Sequence, residues 1–154
     1  YQILNYGKYK VGVTGVGELI SMKGLTVSNP QTSLKRISSI LKNKHNCDIV
    51  VCLAHLGFDE DKKINNKILA QTSTGVDLVV GGNAKVGKSR LWVVKNALKN
   101  DVLLSHNHHQ GLSTARLTIA YNSLKEKTGL NLVSRVPGLK DNKNMNALLL
   151  ETNS

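Results

Sequence analysis

The stretch NPQTSLKRISSILKNKHNCDIVVCLAHLG, running from Asn29 to Gly57, decides the fold. It opens on Asn29-Pro30, a side chain suited to the N-cap followed by a proline suited to the first helical position. Leu34, Ile37 and Leu41 then recur at spacings of three and four, which makes one apolar stripe with lysines on the other side. DIVVCLA (Asp48 to Ala54) follows as a continuous apolar run, the pattern of a strand buried on both faces. A helix that feeds a buried strand is the unit of a layered α/β protein. The strand ends on His55.

Working outward, YQILNYGKYKVGVTGVG reads as two strands around a turn at Gly7-Lys8, with Tyr9, Val11 and Val13 on one face. Residues 17–28 read as a loop. Downstream, residues 61–73 predict a second helix through Ile64, Ile68 and Leu69, stopped by Gly75. VDLVVGG is a further buried strand. The order β-β-α-β-α-β then changes character. LWVV, DVLLSH and ARLTIAYN are short strand-like runs separated by KNALKN and NHHQGLS, which points to antiparallel pairing, and LNLVSRV adds one more strand. From Pro137 onward the chain is rich in Asn and Lys and reads as a peripheral tail. No internal repeat and no interdomain linker stand out.

A chain of 154 residues with 40% apolar content is long enough for a real core. No run approaches the roughly 18 apolar residues of a membrane span. The chain opens on Tyr1, already inside a strand-like segment, and is expected to be a processed or partial product. Net charge is +11, from 21 Lys and Arg against 10 Asp and Glu, which favours anionic partners. Arginines are few (Arg36, Arg90, Arg116 and Arg135) and aromatic content is 4%, so nucleic acid is not the expected partner. The scattered lysines read as a solvated basic surface. Cys47 and Cys52 are too few for a disulfide scaffold or a zinc site, and Cys52 reads as a buried strand thiol.

GGNAKVGKS, from Gly81 to Ser89, matches the G-x-x-x-x-G-K-[ST] pattern of a phosphate-cradling loop. In that reading Lys88 would reach phosphate oxygens, Ser89 would hold Mg²⁺, and the following residues would form a helix through Leu91, Val94 and Leu98. Such a site also needs an acidic residue at the end of a second buried strand. The other such strand ends CLAHLG, without one.

Residues 1–136 resemble the second half of the catalytic domain of 5′-nucleotidases, which are calcineurin-like metallophosphoesterases together with UDP-sugar hydrolases. YGKYKVGVTGVG is similar to the strand that opens this half. The stretch from Asn29 to Gly57 is similar to the family's helix and the strand ending in T/S-H-L/M-G. ILAQTSTGVDLVVGG is similar to the helix and strand that run into G-G-H-x-H, and VLLSHNHHQGLSTARLTIAYN to the strand, loop and strand that follow. The resemblance implies a share of a four-layer α/β/β/α sandwich with a mixed sheet, parallel β-α-β units followed by antiparallel strands. It divides the chain into this half-domain, residues 1–136, and a tail, residues 137–154.

The function implied is hydrolysis of phosphate monoesters on nucleotides, as in nucleotide catabolism, by two divalent metals (Mn, Zn or Mg). Two such ions about 3.5–4 Å apart clamp the phosphate and generate a hydroxide for in-line attack. The resemblance places His55 on the family's histidine ligand and Asn83 where the next histidine stands; an amide oxygen there is a weaker ligand. Lys85 replaces the following ligand and opposes a dication. Lys85, Lys88 and Ser89 are left as candidates for holding an anion. The family's D-x-H, bridging Asp and G-N-H segments fall before the region corresponding to Tyr1. This chain alone is therefore expected to bind the metals incompletely, to be catalytically incompetent and to carry a degenerate active site.

His106, His108 and His109 form a further cluster in SHNHHQG, read as a solvent-exposed turn because no acidic residue or cysteine nearby completes a metal set. Three readings follow: a portion of a 5′-nucleotidase-type enzyme, a non-catalytic scaffold or accessory subunit descended from it, and a phosphate-loop nucleotide-binding protein. A lone half would bare an apolar sheet face, so the missing N-terminal half or another protein is expected to cover it. A 5′-nucleotidase C-terminal-domain protein is a candidate partner. The resemblance implies a periplasmic, cell-surface or extracellular location.

Overall fold

In the computed structural model, residues 1–20, 23–24, 26–58, 63–82, 90–106 and 114–135 are described. The chain divides into two compact units, residues 1–109 and 110–154. The predicted tail lies outside the described residues.

The first unit is a six-stranded mixed sheet. Its strands are β1 (Gln2–Tyr6), β2 (Tyr9–Gly17), β3 (Ile49–His55), β4 (Leu78–Gly81), β5 (Arg90–Lys95) and β6 (Asp101–His106). Their order across the sheet is β1-β2-β3-β4-β6-β5. Strands β2, β3, β4 and β6 run parallel. The two edges, β1 and β5, are antiparallel to their neighbours. The expected parallel β-α-β units followed by an antiparallel strand are present.

Helix α1 (Pro30–Ser39) starts where Asn29-Pro30 predicts. Asn29 Oδ1 accepts hydrogen bonds from the Gln31 and Thr32 amides at 2.9 and 3.1 Å. The helix widens into a π turn over Ile40–Lys44, in which the His45 amide donates to Ile40 O. Helix α2 (Asn66–Thr72) is shorter than the expected 61–73. The Asn65 side chain accepts from the Ile68 amide and caps the helix there, so residues 63–65 approach it in a non-helical path. Residues 61 and 62 lie outside the described set.

The even-numbered side chains of β3 pack under the helices. Val50, Cys52 and Ala54 join Leu34, Leu41, Leu69, Ala70, Val79, Val102 and Leu104 in the core. Each fully buried leucine contributes about 1.5–3 kcal/mol. Packing is close at Gly12, where a Cβ would meet Leu41 Cδ2 at 2.8 Å. Close to it, where β3 and β4 start, Lys42 Nζ donates to Asp48 O and to Asp77 Oδ2, both at 2.8 Å. Asp77 Oδ2 also accepts from the Val50 amide, which ties the starts of β3 and β4 together.

The other face of this sheet is apolar as well. Strand register aligns Val13 with Val51, Val51 with Leu78, Leu53 with Val80, and Leu103 with Val93. The helices pack on the opposite face, and Leu53 and Val93 remain 51% and 55% exposed.

The second unit contains a two-stranded antiparallel hairpin, β7 (Thr114–Tyr121) and β8 (Lys127–Arg135). Its turn, Asn122-Ser123-Leu124-Lys125-Glu126, repeats the turn that joins β5 to β6, Asn96-Ala97-Leu98-Lys99-Asn100. In each, the Asn side chain accepts from the amides two and four residues on, and the Lys takes a positive φ. The sequence reading missed this recurrence.

Candidate functional site

The four parallel strands end along one edge, at Gly17, His55, Gly81 and His106. His55 is exposed there. It sits beside Gly82: a Cβ on that glycine would stand 3.2 Å from His55 Nδ1. The Gly82 amide donates to Ala54 O at 2.6 Å, and its carbonyl accepts from the Gly57 amide at 3.2 Å. Leu53, Ala54, His55, Val80, Gly81 and Gly82 line an open depression of about 270 Å³ at this point. The turn after β4 is thereby brought against the turn after β3, as a shared site requires. Asn83, Lys85, Lys88 and Ser89 lie outside the described residues.

The paired glycines have separate causes. Beyond the His55 contact at Gly82, a Cβ at Gly81 would come within 2.7 Å of Asn66 Nδ2 and 3.0 Å of Phe58. Asn66 is fully buried and bonds to both turns. Sequence reasoning passed over it, because nothing local distinguishes it from the capping Asn65.

Two expectations are corrected. His106 is the last residue of β6 and is 1% exposed, edge-on to Phe58 with ring centroids 5.0 Å apart. It does not belong to a solvent-exposed turn; strand pairing with β5 and the Phe58 ring enclose it. His108 and His109 lie outside the described residues. The phosphate-loop reading required a helix after Ser89, and residues 90–95 are instead β5, paired with β6 throughout.

Among the described residues no group of three or more His, Cys, Asp or Glu side chains converges as a metal centre would require. The described residues therefore do not by themselves make up a dinuclear site. A second concavity of about 430 Å³ lies among Glu18, Leu19, Asn29, Pro30, Leu56, Lys63 and Ile64. His55 does not line it. No helix among the described residues is long and apolar enough to cross a membrane.

Over 86 residues the chain is 35% identical to an apyrase of Aedes aegypti, covering 53% of this chain and 14% of that protein. An apyrase of Aedes albopictus is 32% identical over 83 residues, covering 51% and 14%. Among solved structures, a 5′-nucleotidase precursor from Thermus thermophilus superposes with a TM-score of 0.74 at 24% identity, covering 99% of this chain and 33% of that one. The fold is 5′-nucleotidase-like. The NAD nucleotidase of Haemophilus influenzae gives a TM-score of 0.73 at 13% identity, covering 88% and 30%. No family model matches. The likeness to the solved structures is one of fold, and the chain spans about a third of their length.

Proposed function

We propose that this chain is a portion of a 5′-nucleotidase-type metallophosphoesterase, acting on phosphate esters of nucleotides and inactive by itself. The observation that carries this reading is the juxtaposition of His55 with the Gly82 turn. Two consecutive parallel strands deliver the family's histidine position and its glycine pair to one depression. Asn83 would extend the set by a weaker ligand, and Lys85 and Lys88 would attract the phosphate. The remaining ligands, and two Mn, Zn or Mg ions, would come with residues outside this chain.

The second reading, a non-catalytic scaffold or accessory subunit, is favoured by Asn83 and Lys85 standing where imidazole and a neutral ligand would be expected. Both readings call for a cover on the apolar face around Leu53 and Val93. That cover would be the rest of the longer protein, with a C-terminal-domain partner as the alternative. A periplasmic or extracellular setting accompanies either reading.

The test compares this chain with a longer one that carries D-x-H and G-N-H segments, each supplied with Mn²⁺ or Zn²⁺ and a nucleoside monophosphate. The chain alone gives no turnover; the longer one gives turnover that His55→Ala abolishes. Turnover by the chain alone, lost in His55→Ala, would overturn the claim of inactivity. A silent longer protein would favour the scaffold.

A further inference from the structure

Asn66 is a side-chain amide with no access to solvent, placed between two turns. Its Oδ1 accepts from the Leu56 amide at 3.3 Å, and its Nδ2 donates to Gly82 O at 3.1 Å. Its own amide donates to Gly57 O at 2.9 Å. One residue thus holds the turn that follows His55 and the turn that follows β4. The two ends of the amide are not interchangeable: one faces an N–H and must accept, the other faces a carbonyl and must donate.

A purely structural role explains this poorly. Helix α2 is already capped by Asn65, so Asn66 is not needed to start it. A buried amide carries a desolvation cost that an apolar residue would avoid. What the amide supplies is direction, since it fixes one loop relative to the other through a donor and an acceptor on a planar group. Gly81 is shaped to it, because any Cβ there would strike Nδ2 at 2.7 Å.

We propose that Asn66 is the positioning residue of this site, setting the separation between His55 and the Gly82 turn. The word "site" rests on the hydrolase reading, but the clamp itself does not. Absence of hydrolysis by the longer chain would count against that reading and leave the clamp intact.

The experiment is NMR on the intact protein, labelled with ¹⁵N and ¹³C. Scalar coupling across the hydrogen bond from Asn66 Nδ2 to the Gly82 carbonyl carbon is expected in the unsubstituted protein. Asn66→Ala should speed amide exchange at Leu56 and Gly82 by about tenfold or more, and should move the His55 ring signals. Val79→Ala, a core change in the middle of β4, serves as the control for lost stability and should leave the His55 signals in place. Missing coupling, or an Asn66→Ala effect on Leu56, Gly82 and His55 no larger than that of Val79→Ala, would overturn the proposal. Should Asn66→Ala fail to fold, the wild-type coupling decides alone.

Discussion

A methyl group on Gly82 would stand 3.2 Å from His55 Nδ1, tighter than most carbon contacts but against a ring that is free to swing outward. Gly82→Ala should therefore separate site geometry from stability. The expected cost is about 0.5 kcal/mol or less in a denaturant melt, since the displaced ring is exposed. The His55 ring resonances should shift clearly in the same sample. Unmoved resonances would mean that the two residues are not neighbours in solution.

Gly12 offers the opposite case. Its missing Cβ would lie 2.8 and 2.9 Å from the two Leu41 methyl carbons, and Leu41 has no exposed surface into which to retreat. Gly12→Ala should cost about 1–3 kcal/mol by overpacking. Gly12→Ala combined with Leu41→Val should cost less than the sum of the two single changes, a coupling that a double-mutant cycle measures directly.

Burial pushes the Cys52 thiol up to about 12. The folded state thus holds this proton to higher pH than the unfolded chain, in which the thiol ionises near 9.0. The stabilising contribution is complete below that lower value. It falls by ~1.4 kcal/mol per pH unit as pH rises toward the folded value. Urea melts between pH 8 and 11 should show a decline in stability that is less steep in Cys52→Ala. The two proteins differ in this side chain alone, so the difference between the two slopes reports on the thiol. Parallel slopes would contradict the burial of this group.

Lys42 and Asp77 are 28% and 22% exposed, so their 2.8 Å ion pair is partly screened. Asp77 Oδ2 also accepts from the Val50 amide. Asp77→Asn should cost about 1–2 kcal/mol, and 0.5 M salt should narrow the gap to the parent only in part. A gap that vanishes completely in salt would show a surface pair without the backbone anchor.

Much of the first unit was legible because its signals are local. Asn29-Pro30 fixes a helix start by capping chemistry, the Leu34-Ile37-Leu41 stripe fixes its buried face, and the apolar run ending at Ala54 marks a covered strand. His55 was legible at the end of that strand. The early start assigned to α2 arose because Ile64 extends the apolar spacing backward, whereas the Asn65 cap cuts it off. The burial of His106 and the clamp by Asn66 were illegible for one reason. Each depends on a partner brought near by the fold (Phe58 for His106, Gly82 for Asn66), and neither pairing is written in the spacing of the residues around it. The recurrent Asn-x-Leu-Lys turn was visible in the letters, but its meaning lay in backbone angles.

Four parallel strands bring their last residues to a single rim, while their middles build the packed interior with α1 and α2. The two regions answer to different physical demands, open approach at the rim and close packing inside. Exchanging a rim residue can silence a reaction and leave the folding nucleus untouched, whereas a slip in the interior removes both. An architecture of this kind can lose reactivity at its rim and still keep its packed interior.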